Sequence, residues 1–182
     1  MKVIILAGGL GTRISEETYN KPKPMVKIGK MPILWHIMKI YSAQGYKDFI
    51  ICGGYKQKVI KNFFLNLKKP IIKLFINNKY QAKKSKKNYK AGWNVNIVDT
   101  GINSNTGERL KKLKKILHKE NNFFFTYGDG LANINLKKLL SFHKKQKTVA
   151  TLTAITPPSR FGVLKFKGNK ISRFLEKRDF EK

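Results

Sequence analysis

Residues 6–24 read LAGGLGTRISEETYNKPKP, and the placement of this stretch decides the fold. It comes directly after an apolar run, Val3 to Leu6, so it is a loop at the C-terminal end of a strand, the edge at which open α/β sheets bind ligands. Gly8, Gly9 and Gly11 carry no Cβ and let backbone N–H groups approach a polyphosphate, while Arg13 and Lys23 bring positive charge to the same place. The pattern predicts a nucleotide-binding loop. Spacing excludes two common phosphate loops. A dinucleotide fingerprint beginning at Gly9 and Gly11 needs glycine at position 14, which is Ile14, and no Gly-Lys-Ser/Thr follows at P-loop distance.

Moving outward, Met25 to Ile28 is a short apolar stretch, and Pro32 opens a helical pattern on Ile33, Ile37 and Ile40/Tyr41 that Gly45 ends. Asp48 to Cys52 is a second strand. Lys56 to Leu67 then repeats Val59, Ile60, Phe63, Phe64 and Leu67 on one helical face. After a third strand, Ile71 to Ile76, residues 77–93 are basic and lack apolar periodicity. They are read as a solvated surface loop carrying Tyr80, Tyr89 and Trp93, in preference to an anion clamp or subunit contact. Asn94 to Val98 resumes as strand and Asp99-Thr100-Gly101 closes it.

Leu110, Leu113 and Leu117 fit one helix over Gly107 to His118, with Lys111, Lys112, Lys114 and Lys115 as its solvated face. Phe123 to Tyr127 is the most apolar strand and runs into Gly128-Asp129-Gly130. Asn135 caps a helix from Leu136 to about Lys145, with Leu136, Leu139 and Leu140 inward. Val149 to Ile155 alternates as a strand, and Phe161 to Phe166 with Lys170 to Leu175 forms a hairpin around Gly168-Asn169. The alternation of strands and helices predicts an α/β, Rossmann-like, doubly wound and mostly parallel sheet, in one domain spanning 1–182.

In such a sheet the turns after Leu6 and Tyr127 are neighbours, which brings Asp129 to the phosphates. A carboxylate there suits Mg²⁺, an oxygen-seeking ion that commonly takes one or two carboxylates plus substrate phosphates.

Composition bounds the alternatives. The net charge of +29 favours polyanion binding by counterion release. The excess is nearly all lysine, with arginine only at 13, 109, 160, 173 and 178, whereas base-reading surfaces favour arginine forks. Coding bias of an AT-rich genome accounts for it, so no specific nucleic acid partner is expected. Cys52, the single cysteine, lies in an apolar run and is expected to be a buried packing residue. His36 has no ligand-type neighbour at metal spacing and is expected to be structural. No apolar run reaches the about 18 residues of a membrane span, and none has the form of a signal segment, so the expectation is a cytoplasmic protein with no membrane partner.

The glycine-rich LAGGxGTR segment with a Lys-Pro dipeptide at Lys23-Pro24 resembles the signature of the sugar-phosphate nucleotidyltransferases. KPKPMVKIGKMPILWHIMKIYSAQGYKDFIICGGYK, WNVNIVDTG, TGERLKK, FTYGDGLA and RFG narrow the resemblance to the glucose-1-phosphate cytidylyltransferases, over most of the chain. The resemblance implies transfer of a cytidylyl group from CTP to glucose 1-phosphate, giving CDP-glucose and pyrophosphate, with Mg²⁺ as cofactor and a homo-oligomeric assembly. It implies that Leu6, Ala7, Gly8, Gly9, Leu10, Gly11, Thr12, Arg13 and Lys23 bind the triphosphate. Ser104, Arg109 and Gly128 then contact the nucleotide, Asp129 holds the metal, and Lys177 meets the sugar phosphate. Arg13, Lys23 and Asp129 are the residues expected to carry the transfer.

The chain departs from that family after Glu176-Lys177, where Arg178 stands in place of proline and the family's sugar-pocket segment does not follow. The expectation is therefore a C-terminally truncated member with impaired activity, an unpaired sheet edge and an exposed apolar patch. The alternative from another class is a non-catalytic basic module that binds polyanions or nucleic acid.

Overall fold

The computed structural model describes residues 1–9, 19–67, 72–77, 79–81, 92–155 and 163–175. Contacts divide the chain into two compact units, Met1–Leu139 and Leu140–Lys182.

The first unit is built on a six-stranded sheet. Its strands are β1 (Lys2–Leu6), β4 (Asp48–Gly53), β5 (Ile72–Ile76), β6 (Lys79–Gln81), β7 (Trp93–Asp99) and β8 (Phe124–Tyr127), in the order β6-β5-β7-β4-β1-β8. Only β6 runs antiparallel, against β5; the other neighbours pair parallel. A two-stranded hairpin, β2 (Lys27–Ile28) with β3 (Met31–Pro32), leads into helix α1 (Ile33–Ala43). Helix α2 (Gln57–Asn66) joins β4 to β5, and α3 (Thr106–Lys112) with α4 (Lys114–Leu117) joins β7 to β8.

The central strands are continuous apolar runs because both faces of the sheet are covered. On one face Ile4, Leu6, Ile50, Cys52 and Val98 pack with Leu113, flanked by Leu110, Ile116 and Leu117. On the other, Trp93 stacks edgewise on Phe49 and Trp35, and Tyr41 meets Phe124, so α1 covers it. Helices on both faces of a parallel sheet make the Rossmann-like, doubly wound α/β architecture that the alternation predicts.

Two expectations are corrected within this unit. Trp93 does not belong to a solvated loop: it opens β7, buried, because β7 alternates Trp93, Val95 and Ile97 inward with Asn94 and Asn96 between them. Within the predicted loop, Lys79–Gln81 pairs with β5 as a hairpin strand; residues 78 and 82–91, Tyr89 among them, lie outside the described residues. The single helix expected over Gly107 to His118 is two, divided at Leu113, whose φ of −87° and ψ of 0° leave the α-helical range. Its start is fixed by a reciprocal capping box, in which Asn105 Oδ1 accepts from Glu108 N and Glu108 Oε2 accepts from Asn105 N.

Helix α5 (Leu136–Gln146) begins in this unit, where Asn135 caps it by accepting from Lys138 N at 2.9 Å. The Gln44 side chain grips the same turn, donating to Ile134 O at 3.0 Å and accepting from Leu136 N at 2.8 Å.

The second unit contains the hairpin β9 (Val163–Lys167) and β10 (Lys170–Leu175), turned at Gly168 with φ of 61°. The predicted first strand began at Phe161, which lies outside the described residues. Val149 to Ile155 is not a strand. Alternation gives these residues strand propensity, but a strand exists only when a ladder satisfies its backbone. No described strand pairs with the segment, and Val149, Leu152 and Ile155 are 104%, 90% and 81% exposed. Among the described residues no helix is long and apolar enough to cross a membrane.

Candidate active site

Parallel register aligns the strand ends. Leu6 lies beside Cys52 on one flank and Tyr127 on the other, and Cys52 lies beside Val98. The turns after β1, β4, β7 and β8 therefore share one edge of the sheet, where a cleft of about 260 Å³ opens between Gly8, Gly9, Lys23, Thr106, Tyr127 and Asp129.

Lys23 reaches the cleft on a one-turn 3₁₀ segment, Lys23–Met25, set between Pro22 and Pro24 and closed by Met25 N to Pro22 O at 2.8 Å. The buried Pro24 packs on Gly128. A Cβ at Gly128 would stand 2.7 Å from Pro24 Cγ and 2.6 Å from Leu6 O, so only glycine lets the Lys-Pro turn close on the Gly-Asp-Gly turn. Gly128 N also donates to Leu6 O at 2.8 Å. The result is a contact between residues separated by most of the chain: Lys23 Nζ lies 2.6 Å from Asp129 Oδ2, each side chain about one-third exposed.

Arg109 is 4% exposed and works inward. Its Nη1 donates to Thr100 Oγ1 and Gly101 O, both at 2.7 Å, and to Gly53 O at 3.2 Å. Its Nη2 donates to Gly8 O at 3.0 Å and Ile102 O at 3.1 Å. One guanidinium thus ties the turns after β1, β4 and β7. The glycines at those turns follow from it: a Cβ at Gly8 would overlap the guanidinium, and one at Gly54 would lie 2.8 Å from Nη1. Thr100, fully buried, completes the web by donating to Gly53 O at 2.6 Å.

Of the residues singled out in the sequence, Leu6 ends β1, Ala7 is buried with its N–H on Cys52 O, Gly8 is buried, and Gly9 faces open space. Leu10, Gly11, Thr12, Arg13 and Lys177 lie outside the described residues. Ser104 stands back from the cleft, its Oγ donating to Thr100 O and accepting from Lys112 Nζ at 2.8 Å. Lys112 also donates to Thr100 O at 2.9 Å, so it reinforces a turn besides belonging to the solvated lysine face. Thr106 and Tyr127 in the cleft wall, and Thr100 beneath it, are additions to the residues expected; the Asp-Thr-Gly turn at a strand end was the available signal for Thr100.

Cys52 is fully buried, and burial pushes its thiol up to about 12 against the opposing pull of the Arg109 charge. It is a packing residue, not a nucleophile. His36 bonds the Ile28 carbonyl at 3.1 Å, a structural contact. Among the described residues no group of three or more His, Cys, Asp or Glu could hold a metal ion. Mg²⁺ commonly takes one or two carboxylates and fills its other positions with substrate phosphates and water, so Asp129 at the rim of the cleft fits it.

The chain matches the nucleotidyl transferase family over residues 2–182. It is 49% identical over 177 residues to a glucose-1-phosphate cytidylyltransferase of Salmonella typhimurium, covering 97% of this chain and 69% of that protein. The fold matches HddC of Yersinia pseudotuberculosis complexed with GMP-PN, with a TM-score of 0.58 at 23% identity over 96% of this chain and 68% of the other. It also matches a UDP-glucose pyrophosphorylase complexed with UDP-glucose, with a TM-score of 0.56 at 16% identity over 97% and 68%. With the strand-end cleft in place and sequence identity of this extent, the chain belongs to the glucose-1-phosphate cytidylyltransferases of the nucleotidyl transferase family.

Proposed function

We propose that the cleft binds CTP and glucose 1-phosphate and transfers the cytidylyl group, releasing pyrophosphate and CDP-glucose. A phosphate oxygen of the sugar attacks the α-phosphorus, and the bond from that phosphorus to the β-phosphate bridging oxygen breaks. No covalent nucleophile is needed, because transfers of this class depend on positioning and charge neutralisation. The observation that carries the reading is the convergence of Lys23 and Asp129 at 2.6 Å beside the Gly8-Gly9 backbone.

In this reading the Leu6 to Arg13 loop receives the triphosphate, Lys23 leaves Asp129 for the α-phosphate, and Arg13 holds the departing pyrophosphate. Asp129, with Lys23 withdrawn, holds Mg²⁺, which when bound neutralises phosphate charge. Ser104, Arg109 and Gly128 belong to the nucleotide side, and Lys177 meets the sugar phosphate. A homo-oligomer working in the cytoplasm, where triphosphates and sugar phosphates are made, completes the proposal.

The test is pyrophosphate release with CTP and glucose 1-phosphate, run against the other triphosphates. Release dependent on CTP, sugar phosphate and Mg²⁺ is expected. Salt-dependent DNA binding with no response to CTP would overturn the reading in favour of a polyanion-binding module.

A further inference from the structure

The Arg109 web has a consequence for the peptide that faces the cleft. Gly8 O accepts two hydrogen bonds, from Arg109 Nη2 at 3.0 Å and from Tyr55 N at 3.2 Å. In a trans peptide the carbonyl and the following N–H point in opposite directions. A carbonyl held inward at Gly8 therefore turns the Gly9 N–H outward. Gly9 is exposed, a Cβ there would meet nothing within 4 Å, and no described acceptor bonds its N–H.

We infer that Arg109 is a positioning residue: by pinning the Gly8 carbonyl it presents the Gly9 N–H to the cleft as a donor for a phosphate oxygen. The inference rests on the proposed function for the identity of the occupant, a nucleoside triphosphate. The Nη groups of Arg109 already reach five protein oxygens, on Gly8, Gly53, Thr100, Gly101 and Ile102, and it is through the first of these that the loop is oriented. A lysine cannot replace Arg109, because an ammonium has three donors on one point whereas the guanidinium is a flat fork that reaches several carbonyls at once.

The experiment follows the Gly9 amide in ¹⁵N-labelled protein during a CTP titration with Mg²⁺. In the wild-type chain the Gly9 proton is expected to move downfield as CTP binds. In Arg109→Lys that shift should be lost and the Kd for CTP should rise at least tenfold. Thr100→Val, which at nearly constant volume removes one acceptor of Arg109 and one donor to Gly53 O, the latter still bonded by Thr100 N, provides a milder variant in case Arg109→Lys does not fold; its Gly9 shift should shrink while the fold persists. Tight CTP binding by the wild type without a Gly9 shift, or a full shift in a folded Arg109→Lys or in Thr100→Val, overturns the inference and leaves the proposed function standing. Absence of CTP binding by the wild type overturns both.

Discussion

Arg109 and Lys23 are both cations in the wall of one cleft, and they are held in contrary ways. Arg109 is buried and bonded to neutral oxygens from four backbone carbonyls and one hydroxyl. Lys23 is one-third exposed and faces the Asp129 carboxylate. Moving Arg109 would break the hydrogen bonds that hold a buried charge, and bonds to charged groups are worth about 1.5–3 kcal/mol each. Separating Lys23 from Asp129 costs little, because exposed ion pairs contribute about 0–1 kcal/mol. One cation fixes the shape of the strand-end turns; the other is free to exchange its partner for a phosphate.

The largest expected effect breaks the exchangeable side. Lys23→Ala or Asp129→Ala should lower kcat/KM by at least about 100-fold, close to 2.7 kcal/mol of transition-state stabilisation. Their melting temperatures should stay near that of the wild type. Wild-type turnover in either variant, measured by pyrophosphate release, would refute the roles given to them.

Adjacent glycines separate the two behaviours more finely. Gly8→Ala drives a methyl into the Arg109 guanidinium and towards Gly53, 3.0 Å away, and should destabilise by about 1–3 kcal/mol. At roughly 2–4 °C per kcal/mol for a chain of this size, thermal denaturation resolves it. Gly9→Ala meets no protein atom, so stability should change by no more than about 0.5 kcal/mol. CTP affinity should nevertheless fall about tenfold, or 1.4 kcal/mol, as the methyl blocks close approach of the phosphates. Equal melting temperatures for the two variants would dissolve the distinction.

Two smaller effects probe the fixed side. Cys52 lies under the Arg109 web with its thiol pushed up to about 12 by burial, so the native protein should not react with disulfide reagents at neutral pH and should react fully once unfolded. Asp99, at the end of β7, has its carboxyl held below the usual range, first by the Gly101 N–H and also by Gln57, Lys61 and Lys112. A depressed folded value means that its contribution is fully present above the ordinary carboxylate pKa of about 3.9 and is lost as pH falls through the folded value. Asp99→Asn should therefore flatten the acid limb of the stability profile slightly. An unchanged limb would remove Asp99 from the set of groups that hold these turns.

Local pattern carried much of the fold because parallel strands buried on both faces appear as uninterrupted apolar runs, as in Val3 to Leu6 and Phe49 to Cys52. The same reasoning failed where burial depends on a partner. Trp93 borders a polar stretch yet is buried among Phe49 and Trp35, and Val149 to Ile155 has the alternation of a strand without a described ladder. The Asn105 to Glu108 capping box is a spacing that the reading from Gly107 did not use, and it places the start of α3 one residue before Gly107.

In the site, the glycine loop, the Lys-Pro turn and the Gly-Asp-Gly turn were each visible as short motifs, because a turn demands particular residues at fixed spacing. Their common edge followed from the parallel sheet those motifs imply. The inward direction of Arg109 was not visible: its acceptors come from residues 8, 53, 100, 101 and 102, brought together only by the register of β1, β4 and β7. Nor was the Lys23 to Asp129 contact, which exists because Gly128 lacks the Cβ that would hold Pro24 away. The chain's local pattern was enough for the parallel strands β1, β4, β5, β7 and β8, their order of appearance and the chemistry gathered at their ends, since these depend on neighbours within a few residues. Tertiary structure alone decided which cation became a buried brace and which stayed exchangeable, because burial and hydrogen-bond supply are properties of groups that meet across the sheet.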